Sequence, residues 1–519
     1  MAVSGDKKRI LWVDDEIDAL KSHIVFLENK GFAVVGAMSG DDGISKVQQE
    51  KFDLVLLDEM MPGKDGLTTL EEIKALRPHL PVVMVTKSEE ESLMEEAIGQ
   101  KIDDYLVKPV VPSQILLVIK RLLDSRKIID SSSMRRYIAE IQKFGQRLYG
   151  AMEPEDWHAA ARILGEWNLE LDESNDPGLQ ETHLGTQRDW NTEFTKYILN
   201  NYLSWMSRED RPMLSPDVTA HFLVPRLKEK RQVVYIVVDC MRLDQWMLVE
   251  PLVAEFFNVE RHYYLSIIPT ATPFARNALF AGLFPKEIHD AYPETYNTTD
   301  EGSLNKYEDR LLLNNLARHG VRLEKQARFV KIYDNTEGEE LARRVADFYE
   351  VPLTTMVFNF LDILAHGRSN NVILKEIAGT EAAFRSLMRT WFLHSPLFSI
   401  LKSLAGRDCT IIITSDHGSV LCRRGTMAHG RRDTSTNLRY KYGDNLKAEP
   451  KEAIIIKKPE EWRLPMLTIS TTFLIAREDF YFVYPNNYNE MVRRFQNSFQ
   501  HGGISLDEMV VPLAVLTPR

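Results

Sequence analysis

Along residues 9–110, short apolar runs alternate with stretches whose apolar residues recur at helical spacing. RILWVDDE, FAVVGAM, FDLVLLDEM, PVVMVTK and DDYLVKPV are near-continuous apolar runs, the pattern of strands covered by helices on both faces. Between them, 17–30, 41–50, 66–77 and 89–99 read as helices, and 113–127 closes the series. This alternation predicts a doubly wound, flavodoxin-like α/β unit with five parallel strands.

Residues 128–218 have a different texture. IAEIQKFGQRLYGAM, PEDWHAAARILGEWNLEL and QRDWNTEFTKYILNNYLSWM place apolar residues at i, i+3, i+4 and i+7, and no strand-like run interrupts them. Pro154 opens one helix and DESNDPG ends it, so a bundle of about three or four helices is expected. From residue 231 strands return in RQVVYIVVDC, RHYYLSIIP, ARFVKIY, TTMVFNFLD, CTIIITSDHG, AIIIKK and FLIAR, separated by helical patterns that include 338–349 and 379–403. These predict a second, large α/β domain. The expected organisation is therefore 1–127, 128–218 and 219–519, with 421–451, rich in Arg, Gly, Asn and Asp, as a surface loop near a site.

Charge narrows the function classes. The chain has 64 basic and 75 acidic residues, a net charge of −11, which argues against duplex DNA as a direct partner. Arg423, Arg424, Arg431 and Arg432 are an example of a local basic cluster, and no helix-turn-helix pattern accompanies it. Three cysteines, Cys240, Cys409 and Cys422, are too few and too odd in number for a disulfide framework, which points to a reducing compartment. With no signal-peptide pattern and no long apolar run, the expectation is a cytoplasmic protein without a membrane span.

Two constellations carry chemistry. In the first, Asp14 and Asp15 end the first predicted strand, Asp58 the third, Thr86 the fourth and Lys108-Pro109 the fifth. Carboxyl ends of parallel strands share one rim. Carboxylates there suit Mg²⁺, Asp58 can accept a phosphoryl group, and Thr86 and Lys108 can bind its oxygens. In the second, VVYIVVDCMR supplies Asp239, VFNFLDILAHG supplies Asp362 and His366, TIIITSDHGS supplies Asp416 and His417, and HGGISLDEMVVP supplies His501. SIIPTATPFAR adds two candidate nucleophiles, Thr270 and Thr272. Mixed imidazole and carboxylate donors suit Zn²⁺ or Mn²⁺, and two such ions ~3.5–4 Å apart can hold the attacking and leaving oxygens of an in-line displacement.

The first stretch resembles response-regulator receiver domains over residues 8–127, through Asp14-Asp15, LDEMMPGKDG, Thr86, Tyr105 and Lys108-Pro109, with Lys87 standing where the family usually has a small residue. The resemblance implies phosphorylation of Asp58 by a sensor histidine kinase and a switch through Thr86, Tyr105 and Lys108. The second constellation resembles the alkaline phosphatase superfamily and its PglZ-type domains. That resemblance implies Asp362, His366 and His501 around one metal, and Asp239, Asp416, His417 and Thr272 around the other. Thr272 is preferred over Thr270 because Pro273 and Arg276 follow it much as in related sulfatases. Arg276 and Asn277 are candidate phosphate contacts.

The combined order resembles PorX-type response regulators, a family associated with control of type IX secretion. It implies a regulator in which phosphorylation favours dimerisation through the 104–127 face. It also implies a two-zinc phosphodiesterase that uses Thr272 against nucleotide or oligonucleotide phosphodiesters. Balancing the extra charge of a monoester would fall to loop residues such as Arg423 or Lys441. The alternative reading is a regulator that acts mainly by binding a protein partner such as a sigma factor, with catalysis secondary.

Overall fold

The computed structural model describes residues 7–78, 80–87, 102–123, 131–148, 150–173, 177–295, 305–370, 377–430, 437–485 and 488–519. It divides into two compact units, one of Met1–Met152 with Ser174–Asp189, the other of Glu153–Glu173 with Trp190–Arg519. The helices after the first sheet are thus shared out. Ser131–Leu148 and the start of Pro177–Trp205 go with the first unit, and Pro154–Glu173 with the second.

In the first unit β1 (Arg9–Val13), β2 (Ala33–Ala37), β3 (Leu54–Asp58), β4 (Val82–Thr86) and β5 (Asp104–Val107) form one parallel sheet in the order β2-β1-β3-β4-β5. Alternate strand residues face opposite sides. Ile10, Trp12, Leu54, Leu56, Val83 and Val85 pack with the helix Pro112–Leu123, while Leu11, Val13, Val55, Leu57, Val82 and Met84 fill a second core on the other face. Both faces being buried explains why the runs carry no polar alternation. Ser39 and Asp65 cap their helices by accepting the amides of Asp42 and Thr68. The stretch expected as one helix over 17–30 is a 3₁₀ turn, Ile17–Leu20, followed by Lys21–Asn29. The helix expected at 89–99 and the end of the one over 113–127 lie outside the described residues.

The second unit is built on a six-stranded sheet of β6 (Val233–Val238), β7 (Phe257–Leu265), β8 (Arg328–Ile332), β9 (Leu353–Phe358), β10 (Thr410–Thr414) and β18 (Val510–Pro518). Their order is β7-β18-β10-β6-β9-β8. β10, β6, β9 and β8 are mutually parallel, and β18 runs antiparallel to both β10 and β7. Val234, Ile236, Met356, Phe358, Ile411 and Ile413 anchor its core.

Two expectations change here. AIIIKK and FLIAR leave the large sheet. They become β14 (Ala453–Ile456) and β15 (Thr471–Ala476), which join β13 (Tyr440–Asp444) in a separate antiparallel sheet. The stretch 421–451 is not a surface loop. It contains most of β11 (Val420–Cys422), all of β12 (Arg424–Met427) and β13, and its Arg439, Tyr440 and Lys441 are buried. Its buried Arg439 pairs with the buried Glu508. Arg423 pairs with Glu381 and Arg424 with Glu478 and Asp479, so these two cations are committed inside the domain, while Arg431 and Arg432 lie outside the described residues. Among the described residues no helix is long and apolar enough to cross a membrane.

Candidate functional site

The carboxyl rim of the first sheet gathers Asp14, Asp15 and Asp58, whose oxygens lie within 4.8 Å of one another. Lys108 Nζ stands 2.9 Å from both Asp14 Oδ2 and Asp58 Oδ2. Burial, chiefly, raises the pKa of the Asp58 carboxyl, with Asp14 and Asp15 adding repulsion and Lys108 opposing both. Burial works against the Lys108 charge, but its bonds to Asp14 and Asp58 hold the ammonium above its ordinary range. Three carboxylates against one ammonium leave excess negative charge in an all-oxygen donor set, and that fits Mg²⁺. Thr86 is buried at the end of β4 beside the exposed Lys87. Tyr105, on β5, packs half-buried against the core containing Leu57 and Met84.

The second rim is assembled from segments spread between Asp239 and His501. Asp239 follows β6, and Asp416 and His417 follow β10. Asp362 and His366 share one turn of the helix Phe360–Asn370, and His501 follows β17 (Ser498–Gln500). Asp239, Asp416 and His417 present atoms within 4.8 Å of one another, and so do Asp362, His366 and His501. The rings of His417 and His501 stack with centroids 4.2 Å apart, which sets the clusters side by side.

Thr272 begins the helix Thr272–Ala281, and its Oγ1 lies 3.1 Å from His417 Nε2 and 3.4 Å from Asp239 Oδ1. His417 Nδ1–H donates to the Gly418 carbonyl at 3.0 Å, so the lone pair sits on Nε2, toward Thr272. Thr270 is placed differently. Its hydroxyl donates to Gly503 O at 2.8 Å and accepts the Gly502 amide at 3.1 Å, which pins the turn that carries His501.

The electrostatics call for a cation. Burial, then the charge of Asp416, pushes Asp239 up to about 7, and burial raises Asp416 as well. Burial lowers His417 and, helped by His417, lowers His501. Asp362 is held well below its usual value despite burial, because His366 and His501 bond to it. Asp416 Oδ1 accepts the amides of Cys240 and His417 at 3.4 and 3.1 Å, while the buried Asp416 Oδ2 has no hydrogen-bond partner. An unpartnered buried carboxylate oxygen among imidazole nitrogens fits a borderline-soft divalent ion.

Residues 220–516 match the family model described as the BREX system PglZ alkaline phosphatase-like domain, which is more than half of the chain. The chain belongs to the PglZ family. Residues 10–120 match the response regulator receiver domain and 127–206 the PorX response regulator linker domain. Receiver, linker and PglZ domain in one chain make a PorX-type fusion, a two-component response regulator with a hydrolase-like domain. Transcriptional regulatory protein ResD of Bacillus subtilis (strain 168) is 36% identical over 118 residues, 23% of this chain and 49% of ResD. Transcriptional regulatory protein ZraR of Escherichia coli (strain K12) is 34% identical over 131 residues, 25% of this chain and 30% of ZraR. The chain therefore spans about half or less of these curated relatives. A solved CheY-like receiver domain from Methanospirillum hungatei JF-1 is 35% identical, covering 23% of this chain and 95% of that one, with a TM-score of 0.22.

Within the PglZ domain, the two candidate phosphate contacts, Arg276 and Asn277, have protein partners. Arg276 is buried, with Nη1 donating to Asp239 Oδ2 at 2.6 Å and Nε to Glu308 Oε1 at 2.7 Å. Asn277 is also buried and donates to Pro273 O at 2.9 Å. Both have partners inside the domain because their helix is buried along nearly its whole length. Lys441, a candidate for charge balance, donates to Asn437 O at 3.0 Å and to the Tyr484 hydroxyl at 3.1 Å from a buried position. Sequence reasoning passed over Asn305, Glu308 and Lys331, which meet behind Thr272, because no local spacing marks a Glu as the partner of an Arg 32 residues earlier. The one readable sign was Arg276 itself, a cation in a mostly apolar helical stretch.

Proposed function

We propose that the PglZ domain is a phosphodiesterase whose nucleophile is Thr272 and that the receiver domain regulates it. The observation that carries this reading is the Thr272 hydroxyl lying within 3.1 Å of His417 Nε2 and 3.4 Å of Asp239 Oδ1. Asp239, Asp416, His417 and Thr272 would hold one zinc, and Asp362, His366 and His501 the other, with manganese as the alternative ion. When bound, the ions supply positive charge to the phosphoryl oxygens and favour loss of the threonine proton. Thr272 attacks phosphorus, the leaving alcohol departs, and water then hydrolyses the phosphothreonine. The substrate class is a nucleotide or oligonucleotide phosphodiester, since among the described residues few cations stand near the candidate ligands to balance the second charge of a monoester.

Regulation begins at Asp58. Asp14, Asp15 and Asp58 would hold Mg²⁺ while a sensor histidine kinase donates the phosphoryl group. Lys108 and Thr86 bind its oxygens, and Tyr105 follows Thr86, which shifts a two-state equilibrium toward a homodimer. A cytoplasmic location and a role in type IX secretion control accompany the resemblance to the PorX type.

Metal analysis with hydrolysis of bis-p-nitrophenyl phosphate tests the reading. Wild type should hold two zinc equivalents and turn over, and Thr272→Ala should keep the metals and lose activity by at least ~100-fold. Turnover that survives Thr272→Ala refutes the nucleophile.

A further inference from the structure

The start of the Thr272 helix rests on polar groups that belong to neither set of candidate ligands. Glu308 opens the helix Glu308–Arg318 and is fully buried. Its Oε1 accepts from Arg276 Nε at 2.7 Å and from Asn305 Nδ2 at 2.8 Å, and its Oε2 faces Lys331 Nζ at 2.9 Å. Asn305 Nδ2 also donates to the Thr272 carbonyl at 3.1 Å, and Lys331 Nζ donates to the Asn305 carbonyl. Arg276 extends the chain of contacts to Asp239 Oδ2 at 2.6 Å. Asp239 therefore offers Oδ2 to Arg276 and Oδ1 to Thr272.

We propose that Glu308 is a positioning residue for the reaction, fixing Arg276 on Asp239 and Asn305 on the Thr272 carbonyl so that the Thr272 hydroxyl is aimed into the site. The inference rests on the nucleophile assignment above and adds to it residues outside both candidate ligand sets. First, the cluster is balanced. Arg276 and Lys331 face Asp239 and Glu308, and buried ions persist only when paired and hydrogen-bonded. Without the Glu308 charge, the Nε side of Arg276 rests on a neutral acceptor, so the guanidinium is held only from its Nη1 side, by Asp239 and Asn359, and its hold on Asp239 loosens. Second, the contacts reach Thr272 by two routes. Arg276 acts through Asp239 Oδ1, and Asn305 acts through the Thr272 backbone at the helix start. A nucleophile held from both its carbonyl and its neighbouring carboxylate keeps the near-attack geometry on which in-line displacement depends, where a misplacement of ~1 Å costs ~10²-fold.

Glu308→Gln keeps the size and the accepting Oε1 but removes the charge. The assay is hydrolysis of bis-p-nitrophenyl phosphate by the full chain, read as kcat and KM separately. Zinc stoichiometry is measured alongside, with the dissociation constant of orthovanadate, which takes a five-coordinate form against a nucleophilic hydroxyl. The expected result is a fall in kcat of ~100-fold with KM within about twofold, two zinc equivalents retained, and vanadate bound ~100-fold more weakly. Asn305→Ala, which removes the bonds from Nδ2 to the Thr272 carbonyl, Glu308 Oε1 and Asn277 Oδ1 but leaves the ion pairs of Glu308 with Arg276 and Lys331, should lower kcat and vanadate affinity ~10-fold in the same pattern. It carries the test should Glu308→Gln not fold. Unchanged kcat and vanadate affinity overturn the inference, as does a loss confined to zinc content, which would make Glu308 structural only. Thr272→Ala separates the two claims. If it binds vanadate and turns over like wild type, the nucleophile reading falls and takes this one with it. If it loses both while Glu308→Gln holds both, only the positioning role falls.

Discussion

Lys120 Nζ donates to Glu181 Oε2 at 2.6 Å, and the other oxygen of Glu181 takes a hydrogen bond from Lys30 Nζ at 2.7 Å. One carboxylate thus ties the beginning of the helix Pro177–Trp205 to the helix Pro112–Leu123 and to the residue that follows Lys21–Asn29. Ser113 adds a hydroxyl bond to Asp189 at 3.2 Å, while Tyr137, on the linker helix Ser131–Leu148, bonds Thr186 at 3.1 Å and so joins the two linker helices to each other. Within this unit the linker helix docks on receiver helices through charge and hydroxyl contacts.

The Lys120 and Lys30 bonds lower Glu181 to about 2 against an ordinary value of 4.5. A carboxylate whose pKa is depressed by folding stabilises the fold above its unfolded pKa, and that contribution disappears as pH falls through the folded pKa. Glu181→Gln should therefore destabilise the first unit at pH 7 by about 1 kcal/mol or less, because the groups are partly solvated. The difference from wild type should shrink between pH 4.5 and 2. Denaturant titrations of both proteins across that range give the measurement. A gap that stays constant with pH would mean the ion pairs contribute nothing.

Thr270 and Thr272 should separate cleanly by mutation. Thr270→Val strips the Gly503 carbonyl and Gly502 amide of a buried partner, at a cost of about 1–3 kcal/mol in stability. Activity should fall only as far as the His501 turn loosens. Thr272→Ser keeps a hydroxyl at the helix start and should retain measurable turnover where Thr272→Ala does not. Thermal melts paired with diester kinetics distinguish these outcomes, and full activity in Thr272→Ala with none in Thr270→Val would reverse the assignment.

Gly418 lets the chain turn directly after the Asp416-His417 pair. A Cβ there would lie 1.9 Å from the Asp507 carbonyl oxygen, which is backbone and cannot swing aside. Gly418→Ala should cost about 3 kcal/mol or more through overpacking, and it should lower zinc content by displacing His417. Inductively coupled plasma analysis of the purified variant beside its melting curve reads both effects. Wild-type zinc content with an unshifted melt would show that the turn adapts.

Asp58→Asn removes the proposed phosphoacceptor while keeping the side-chain volume. With Mg²⁺ and acetyl phosphate, wild type should shift toward a dimer in sedimentation velocity and Asp58→Asn should remain as it was. An equal shift in both proteins would place the phosphoryl-dependent step elsewhere.

Much of the first sheet was legible because its signal is local. Five apolar runs, each buried on both faces, and the helical spacing between them specify a doubly wound sheet with little help from distant residues. Its strand-end carboxylates converge because parallel strands share a rim. The same logic located Asp239 and Asp416 after β6 and β10, and the i, i+4 spacing set Asp362 and His366 on one helical face. It failed where a segment's partner lies far along the chain. VVPLAVLTP gives no sign that it will enter the large sheet antiparallel between β7 and β10. AIIIKK and FLIAR are as strand-like as the runs that do join that sheet, yet they pair elsewhere.

By itself, the sequence determined which groups stand at the ends of strands: carboxylates, imidazoles and hydroxyls. Only the tertiary structure decided which hydroxyl faces the clusters and which polar groups stand behind it. Thr270 and Thr272 are two residues apart and chemically alike. They differ because Gly502 and Gly503, more than 200 residues away, take up the first and leave the second to His417. Arg276 reads as a phosphate ligand until Glu308 and Asp239 close on it from both sides. Arg439, within the stretch expected as a surface loop, is buried with Glu508. Whether a charged side chain meets substrate, protein or water is set by the partner that desolvates it, and that partner is chosen by the fold.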